Sequence, residues 1–535
     1  MNYFKRFIFF NISFAIIFAF FIVLSDFILE FFIPTYDVSF DPIFLLTLFT
    51  AGLFLSFNKS QLFFYVFILF ISSLQFIQIS SIVYFGYSIL PSEIHKIFSE
   101  FSDIKDVIFA EASSFLIVPV SLFIPLAIII AANRFFGKNS LKIPFAFILV
   151  LLLFVPKIER ATRRDVQFFF PSPIRYSFHN TINAFSFYVG KEIWIDNNFK
   201  MPEEFYSPYT LEKYEPKAKN IVLVIGESVN PQHLSLFGYN RTTTPFLDSL
   251  KENDKFDYQE AISSGVSTHS SVAFFLNGVR EPGNTKEIKS KTFNLFKLAK
   301  EQGFSTFFIS AQDAKTAYEI GNKYIDKIAT KEENPLLFKA KRDQALVDIL
   351  NGLTLSDRNF IVIQMRTPHA PYKDNYDKDS DFDIFSGEND RVDTYDNSIL
   401  YFDFVLKDIF NNLKKYIENS GYFIFVSDHG QVFGENGFYG HNKLDLSVAS
   451  IPFFSYSASG DKIPVKTPSQ YETAEWIGEL LGYKFINPNL QDNIFYVHGN
   501  NFLSDYEFIS YTKIDGDITE QNKTMLSRFI QERQK

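Results

Sequence analysis

Glu227, Asp428, His429, His369 and His441 are the residues of this 535-residue chain whose types and settings point most directly to chemistry. Hard carboxylate oxygens with imidazoles and no thiolate suit Zn²⁺ in an open catalytic site, with Mn²⁺ as the weaker alternative. Taken singly, a Glu after a strand is an ordinary cap or ion-pair partner, and a lone His is an ordinary polar residue. Their settings carry more weight. Glu227 ends the apolar run Ile221-Val222-Leu223-Val224-Ile225-Gly226, and Asp428-His429 end the run Tyr422-Phe423-Ile424-Phe425-Val426-Ser427. A hydroxyl-rich segment, Ala261 to Ser271, opens what reads as a helix. Free N–H groups and the positive dipole end at a helix start favour a phosphate, and a hydroxyl placed there beside a metal could ionise and attack phosphorus. An ordinary Ser/Thr helix cap would look the same in sequence.

Such residues need elements to bring them together. Short runs dominated by β-branched and aromatic residues read as strands buried on both faces, the usual members of a parallel sheet. Ser305–Ser310, Phe360–Gln364 and Tyr422–Val426 are such runs. Phe293–Gln302, Lys341–Leu350 and Ser398–Asn412 have helical spacing. Strands alternating with helices imply an α/β domain with a mostly parallel sheet sandwiched by helices, running from 219 to 535. In open α/β sheets ligands lie past the carboxyl ends of the strands, which is where Glu227, Asp428 and His429 fall.

The first 160 residues differ in kind. Many of the chain's 68 Phe cluster there, as on a lipid-facing surface. Apolar segments at Phe7–Ile33, Pro42–Phe57, Leu62–Phe85, Ser113–Ala132 and Ile143–Pro156 predict a five-helix transmembrane domain over 1–157; a span needs about 20 apolar residues. The first is too long for a signal peptide and has no small-x-small cleavage site. Lys5, Arg6, Lys59, Arg134, Lys138 and Lys142 set the N-terminus inside and everything after Pro156 outside. Lys157, Arg160, Arg163 and Arg164 then fall on the outer side, against anionic headgroups or the soluble domain. Residues 158–218 have no clear period and are expected to form a connector along the membrane surface. The net charge of −9 argues against nucleic acid as a partner.

Several longer motifs fit one family. Gly226-Glu227-Ser228, then Leu234-Ser235-Leu236-Phe237-Gly238-Tyr239-Asn240-Arg241-Thr242-Thr243-Thr244-Pro245, resembles the phosphoethanolamine transferases of Gram-negative envelopes, members of the alkaline phosphatase/sulfatase superfamily. Ser264-Gly265-Val266-Ser267-Thr268, Pro368-His369-Ala370-Pro371-Tyr372, Tyr395-Asp396-Asn397 and Ser427-Asp428-His429-Gly430 through Gly440-His441 add to it. So does a multi-pass anchor with an external domain.

The resemblance implies roles. Thr268 would be the nucleophile that becomes covalently modified, and Glu227, Asp428 and His429 would hold zinc with it. His369 and His441 would bind phosphate or a second zinc, and Lys315 falls near a substrate-contacting Lys. Phosphatidylethanolamine would be the donor. The acceptor would be lipid A, lipopolysaccharide core oligosaccharide or a surface protein, reached from the periplasmic side of the inner membrane. Relatives carry disulfides, one flanking the nucleophile. Here Ser264 and Phe274 stand near those positions, and the chain has no cysteine. In the loop from Gly86 to Ala112, Glu93, His95, Glu100 and Asp103 stand where relatives recognise the donor headgroup. Three rival readings exist. A sulfatase would need a Cys or Ser in a C/S-x-P-x-R signature, which Ser263–Ser271 does not supply. A glycerol-phosphate transferase lacks the Gly-Tyr-Asn-Arg-Thr-Thr-Thr-Pro segment. A non-catalytic scaffold would have no reason to keep every ligand-type residue.

Overall fold

The computed structural model describes all residues except 1–2, 34–35, 37, 39, 58–60, 92, 95–96, 98–115, 137–144, 164–174, 194–205, 314–318, 388–389, 436, 500–506 and 526–535. The chain divides into two compact units, Met1–Phe199 with Gly434–Tyr439, and Lys200–Phe433 with Gly440–Lys535.

The first unit is helical. Helices α1 (Tyr3–Phe32), α2 (Pro42–Ser56), α3 (Gln61–Phe85), α4 (Ile117–Phe136) and α5 (Phe145–Arg163) lie over the five apolar segments. Three helices among the described residues, Ile8–Phe32, Gln61–Phe85 and Ile117–Phe136, are long and apolar enough to cross a membrane; Pro42–Ser56 is apolar but shorter. Phe14, Phe18, Leu48, Phe64, Ile79, Leu122 and Ile129 pack between helices. Phe20, Phe31, Leu46, Leu62, Leu69 and Phe123 stay exposed, and a bilayer is the solvent that suits such a surface. One polar network threads this unit. Asp26, fully buried, accepts from the Tyr36 hydroxyl (2.6 Å) and the Ser177 backbone N–H (2.7 Å).

The stretch expected to form a connector begins in helix. Helix α5 continues through Pro156 to Arg163. Lys157-Ile158-Glu159-Arg160-Ala161 are good helix formers, and Glu159 and Arg163 pair one turn apart at 2.8 Å. A further helix, α6 (Ser177–Phe187), packs in the same unit, where Lys157 hydrogen-bonds its Asn183.

The second unit is built on a seven-stranded sheet. In chain order its strands are β1 (Asn220–Gly226), β2 (Phe256–Ile262), β3 (Ser305–Ser310), β4 (Lys327–Thr330), β5 (Asn359–Gln364), β6 (Gly421–Ser427) and β7 (Ser450–Ser457), and their spatial order is β2-β7-β6-β1-β5-β3-β4. The sheet is mixed. The five strands from β6 to β4 run parallel, while β7 pairs antiparallel with both β6 and β2. The period of two sorts side chains into two cores. Ile221, Leu223 and Ile225 of β1 and Tyr422, Ile424 and Val426 of β6 face one. Val222, Val224, Phe423 and Phe425 face the other. Helices α7 (Thr268–Leu276) and α9 (Gln470–Leu480) cover the first face, and α8 (Asp390–Ile417) covers the second. With both faces covered, catalytic side chains can sit only at the strand ends. β8 (Ile494–His498) begins a small antiparallel sheet that borders the start of α7.

Candidate active site

The carboxyl ends of β6, β1 and β5 lie side by side, so the residues that follow them share one edge. Gly226 ends β1 because space is short there: a Cβ would meet Phe425 Cζ at 2.5 Å. Ser228 then takes a left-handed φ of 56°, a strained conformation for a residue with a Cβ. Three hydrogen bonds hold it. Its N–H donates to Asp428 Oδ1 (3.0 Å), its hydroxyl to Glu227 Oε1 (2.6 Å), and its carbonyl accepts from Tyr395 (2.7 Å). The turn that carries Glu227 is therefore fixed from two other elements.

Glu227, Asp428 and His429 each offer one ligand atom, all within 4.8 Å of one another and all buried. Thr268, the first residue of α7, joins them. Its hydroxyl lies 3.1 Å from Glu227 Oε2, 2.5 Å from Asp428 Oδ2 and 3.4 Å from His429 Nε2. The residue before it, Ser267, makes no side-chain cap bond, so a capping role does not account for this stretch of hydroxyls. His429 Nδ1 lies 3.0 Å from the Gly430 carbonyl, an acceptor, so Nδ1 carries a proton, and Nε2 faces Thr268 and the two carboxylates. Asp428 is likewise turned: Oδ1 accepts from two backbone N–H groups, leaving Oδ2 for Thr268. Burial pushes Asp428 up to about 6, against hydrogen bonds from Thr268, Ser228 and the His429 amide. Glu227 is raised first by burial and then by Asp428's charge, while His429 and His369 pull it down. Two buried carboxylates facing one hydroxyl and one imidazole nitrogen form a donor set that a divalent cation would neutralise, and hard oxygens with one imidazole fit zinc.

His369 and His441 adjoin this group without entering it. His369 follows β5, in a segment anchored where Asp343 accepts from the Arg366 and Thr367 amides at 2.9 Å each. His441 stacks on His429 with ring centroids 4.1 Å apart. Its Nδ1 is 3.0 Å from Gln431 Oε1, and the Gln431 amide nitrogen is already donated to Tyr372 (2.6 Å). Lys315, His95, Glu100 and Asp103 lie outside the described residues. Glu93 accepts from Tyr87 (2.8 Å) and the Leu90 amide (2.7 Å).

Three glutamines matter that the sequence did not single out. Gln312 donates to Glu227, Gln431 orients His441, and Gln470 spans the Ser264 amide (2.7 Å) and the Ser427 carbonyl (2.9 Å). An amide is chemically bland, and only its neighbours reveal it. Where the resemblance implies a disulfide beside the nucleophile, Phe274 stacks on His498 at 3.6 Å. The His498 backbone also brackets the Ser264 carbonyl (2.8 Å) and the Val266 amide (3.1 Å).

Residues 219–481 match the family model described as Sulfatase. They form a sulfatase-family domain. This sulfatase-family domain and its flanks are similar to phosphoethanolamine transferases. The EptA protein of Helicobacter pylori (strain ATCC 700392 / 26695) is 26% identical over 350 residues, 60% of this chain and 62% of that one. The Kdo(2)-lipid A phosphoethanolamine 7''-transferase of Salmonella typhimurium LT2 is 26% identical over 300 residues, 52% of this chain and 51% of that one. The chain spans between 37% and 62% of the length of the curated relatives it matches. The integral membrane lipooligosaccharide phosphoethanolamine transferase A of Neisseria meningitidis has the same fold, with a TM-score of 0.53 at 18% identity over 88% of this chain and 95% of that one.

Proposed function

We propose that this chain transfers phosphoethanolamine from phosphatidylethanolamine to an envelope acceptor, with Thr268 as the nucleophile. The observation that carries the reading is the Thr268 hydroxyl at the start of α7, within 3.1 Å of two buried carboxylates and 3.4 Å of His429 Nε2. Glu227, Asp428, His429 and Thr268 would hold one zinc ion, with His369 and His441 available to phosphate or to a second ion. Bound zinc would lower the pKa of the Thr268 hydroxyl toward neutrality.

The chain's own groups supply the rest. Thr268 Oγ attacks phosphorus, the bond from phosphorus to the glyceride oxygen breaks, and diacylglycerol leaves with a proton. The proton that Thr268 loses passes to solvent, since Asp428 Oδ2, 2.5 Å from the hydroxyl, would be committed to the zinc ion. The phosphoethanolamine ester on Thr268 then passes to an acceptor hydroxyl or phosphate, which loses its own proton, and Thr268 is restored. His369 and His441 would stabilise the charge that gathers on non-bridging phosphoryl oxygens. The names of two of these relatives carry Kdo(2)-lipid A and lipooligosaccharide, which favours a lipid A or core acceptor; a surface protein presents the same kind of oxygen.

The proposed organisation is a transmembrane domain over 1–157 with five spans and the N-terminus inside, a connector over 158–218, and a periplasmic catalytic domain over 219–535 at the inner membrane. Sulfatase activity proper is disfavoured because Ser263–Ser271 contains neither the Pro nor the Arg of the signature that makes formylglycine.

The test uses purified full-length protein with a fluorescent phosphatidylethanolamine. Zinc-dependent release of labelled diacylglycerol by the wild type, lost by at least ~10³-fold in Thr268→Ala, supports the reading. Equal release by both proteins removes Thr268 from the chemistry.

A further inference from the structure

Glu227 is gripped at both of its oxygens. Oε1 accepts from the Ser228 hydroxyl at 2.6 Å, and Oε2 accepts from the Gln312 amide at 2.8 Å. The same Gln312 nitrogen donates to the Met365 carbonyl at 3.0 Å. Both partners are acceptors, so the NH₂ group and not the amide oxygen must occupy this position. Gln312 is 3% exposed. It is anchored to the ends of β3 and β5: its backbone N–H donates to Ser310 Oγ (3.0 Å), and that hydroxyl lies 3.1 Å from Gln364 Oε1.

We infer that Gln312 is a positioning residue for the metal site, an amide that fixes the carboxylate plane of Glu227 and turns Oε2 toward Thr268. This rests on the proposed role of Glu227 as a ligand. Oε2 is the oxygen 3.1 Å from the Thr268 hydroxyl, so the atom that Gln312 holds is the one the nucleophile faces. Without the amide, Oε2 keeps only the Thr268 hydroxyl at 3.1 Å, which lies closer to Asp428 Oδ2 (2.5 Å), and the carboxylate can rotate about its last side-chain bond. A ligand free to rotate must be ordered when the metal binds, and that lowers affinity. A glutamine that merely filled the core would owe nothing to the metal. It would affect stability and leave binding alone.

Gln312→Met keeps the length and apolar volume of the side chain and removes the donor; Gln312→Asn keeps an amide too short to span Glu227 and Met365. Both are compared with the wild type as full-length protein in detergent, by chelator competition for Zn²⁺, by the visible spectrum of the Co²⁺ form, and by melting of the metal-free protein. The expected result is a ~10–100-fold weaker zinc dissociation constant and shifted cobalt bands in both variants. Metal-free melting should stay close to the wild type in at least one of them. Unchanged zinc affinity and cobalt spectra in a folded variant overturn the inference, whatever happens to melting. If the wild type itself binds neither metal, the ligand role of Glu227 fails first and the inference falls with it.

Discussion

Thr268, Glu227, Asp428 and His429 come from two strand ends and a helix start, far apart in sequence, and meet within hydrogen-bonding reach. Asp428 makes the pH behaviour specific. Its folded-state value is raised to about 6, so in metal-free protein its contribution to stability is complete below about 4 and is lost as pH rises through 6. A bound cation reverses the demand, because it competes with the proton for the same oxygen. The zinc-induced rise in melting temperature should therefore be large at pH 7.5 and shrink at pH 5, as differential scanning fluorimetry across that range would read. A rise independent of pH would place the metal elsewhere. Asp428→Asn should weaken zinc binding by at least ~10-fold and flatten that profile. The hydroxyl cluster marked only a segment, and Thr268 within it is singled out by the family resemblance alone; Glu227, Asp428 and His429 were legible because two apolar runs stop at acidic residues. The glutamines that orient them were not, since their role depends on neighbours up to 206 positions away, as with Gln470 and Ser264.

At the scale of elements, the long motif from Leu234 to Pro245 proves to be a brace. Asp396 on α8 pairs with His233 Nδ1 (2.7 Å), Tyr239 (2.8 Å) and Arg241 (2.7 Å), and Arg241 also reaches Asp393 (2.6 Å). These partners tie the segment after β1 to the helix whose neighbouring residue, Tyr395, holds Ser228. Asp396→Ala removes a buried carboxylate shared by His233, Tyr239 and Arg241 and should cost about 3–5 kcal/mol of unfolding free energy in denaturant titrations. A loss under 1 kcal/mol would mean the network is not what fixes the turn. A second brace is apolar. Burial holds His498 neutral, its pKa down at about 3, and the ring lies flat on Phe274 within α7. Phe274→Ala should cost about 3–5 kcal/mol and loosen Thr268 as well, giving a larger fall in kcat than in substrate binding; an unchanged kcat would make the stack a packing contact only. Strand runs such as Phe360–Gln364 could be read directly from their β-branched content. The antiparallel entry of β7 could not, because nothing local in Ser450–Ser457 records its direction. Pro156 misled in the same way: it reads as a stop, yet the residues after it favour helix strongly enough to continue.

The whole molecule joins a helical unit with an exposed apolar surface to an α/β unit, and the natural absence of cysteine makes its membrane topology directly measurable. Single substitutions Lys59→Cys and Ser459→Cys in spheroplasts should respectively resist and accept a membrane-impermeant maleimide. The reverse pattern would overturn the proposed orientation and with it a periplasmic active site. The five apolar segments were visible from composition alone, whereas the way the unit's polar residues, such as Asp26 and Ser177, meet across 151 positions was not. The central claim, phosphoethanolamine transfer through Thr268, is tested most directly by mass spectrometry of envelope glycolipids from cells expressing the wild type or Thr268→Ala. The account expects a phosphoethanolamine-sized addition with the wild type only, located by fragmentation on lipid A or core. The same addition from the Thr268→Ala variant, or none from correctly inserted, zinc-loaded wild type with glycolipid and protein acceptors both surveyed, would contradict it.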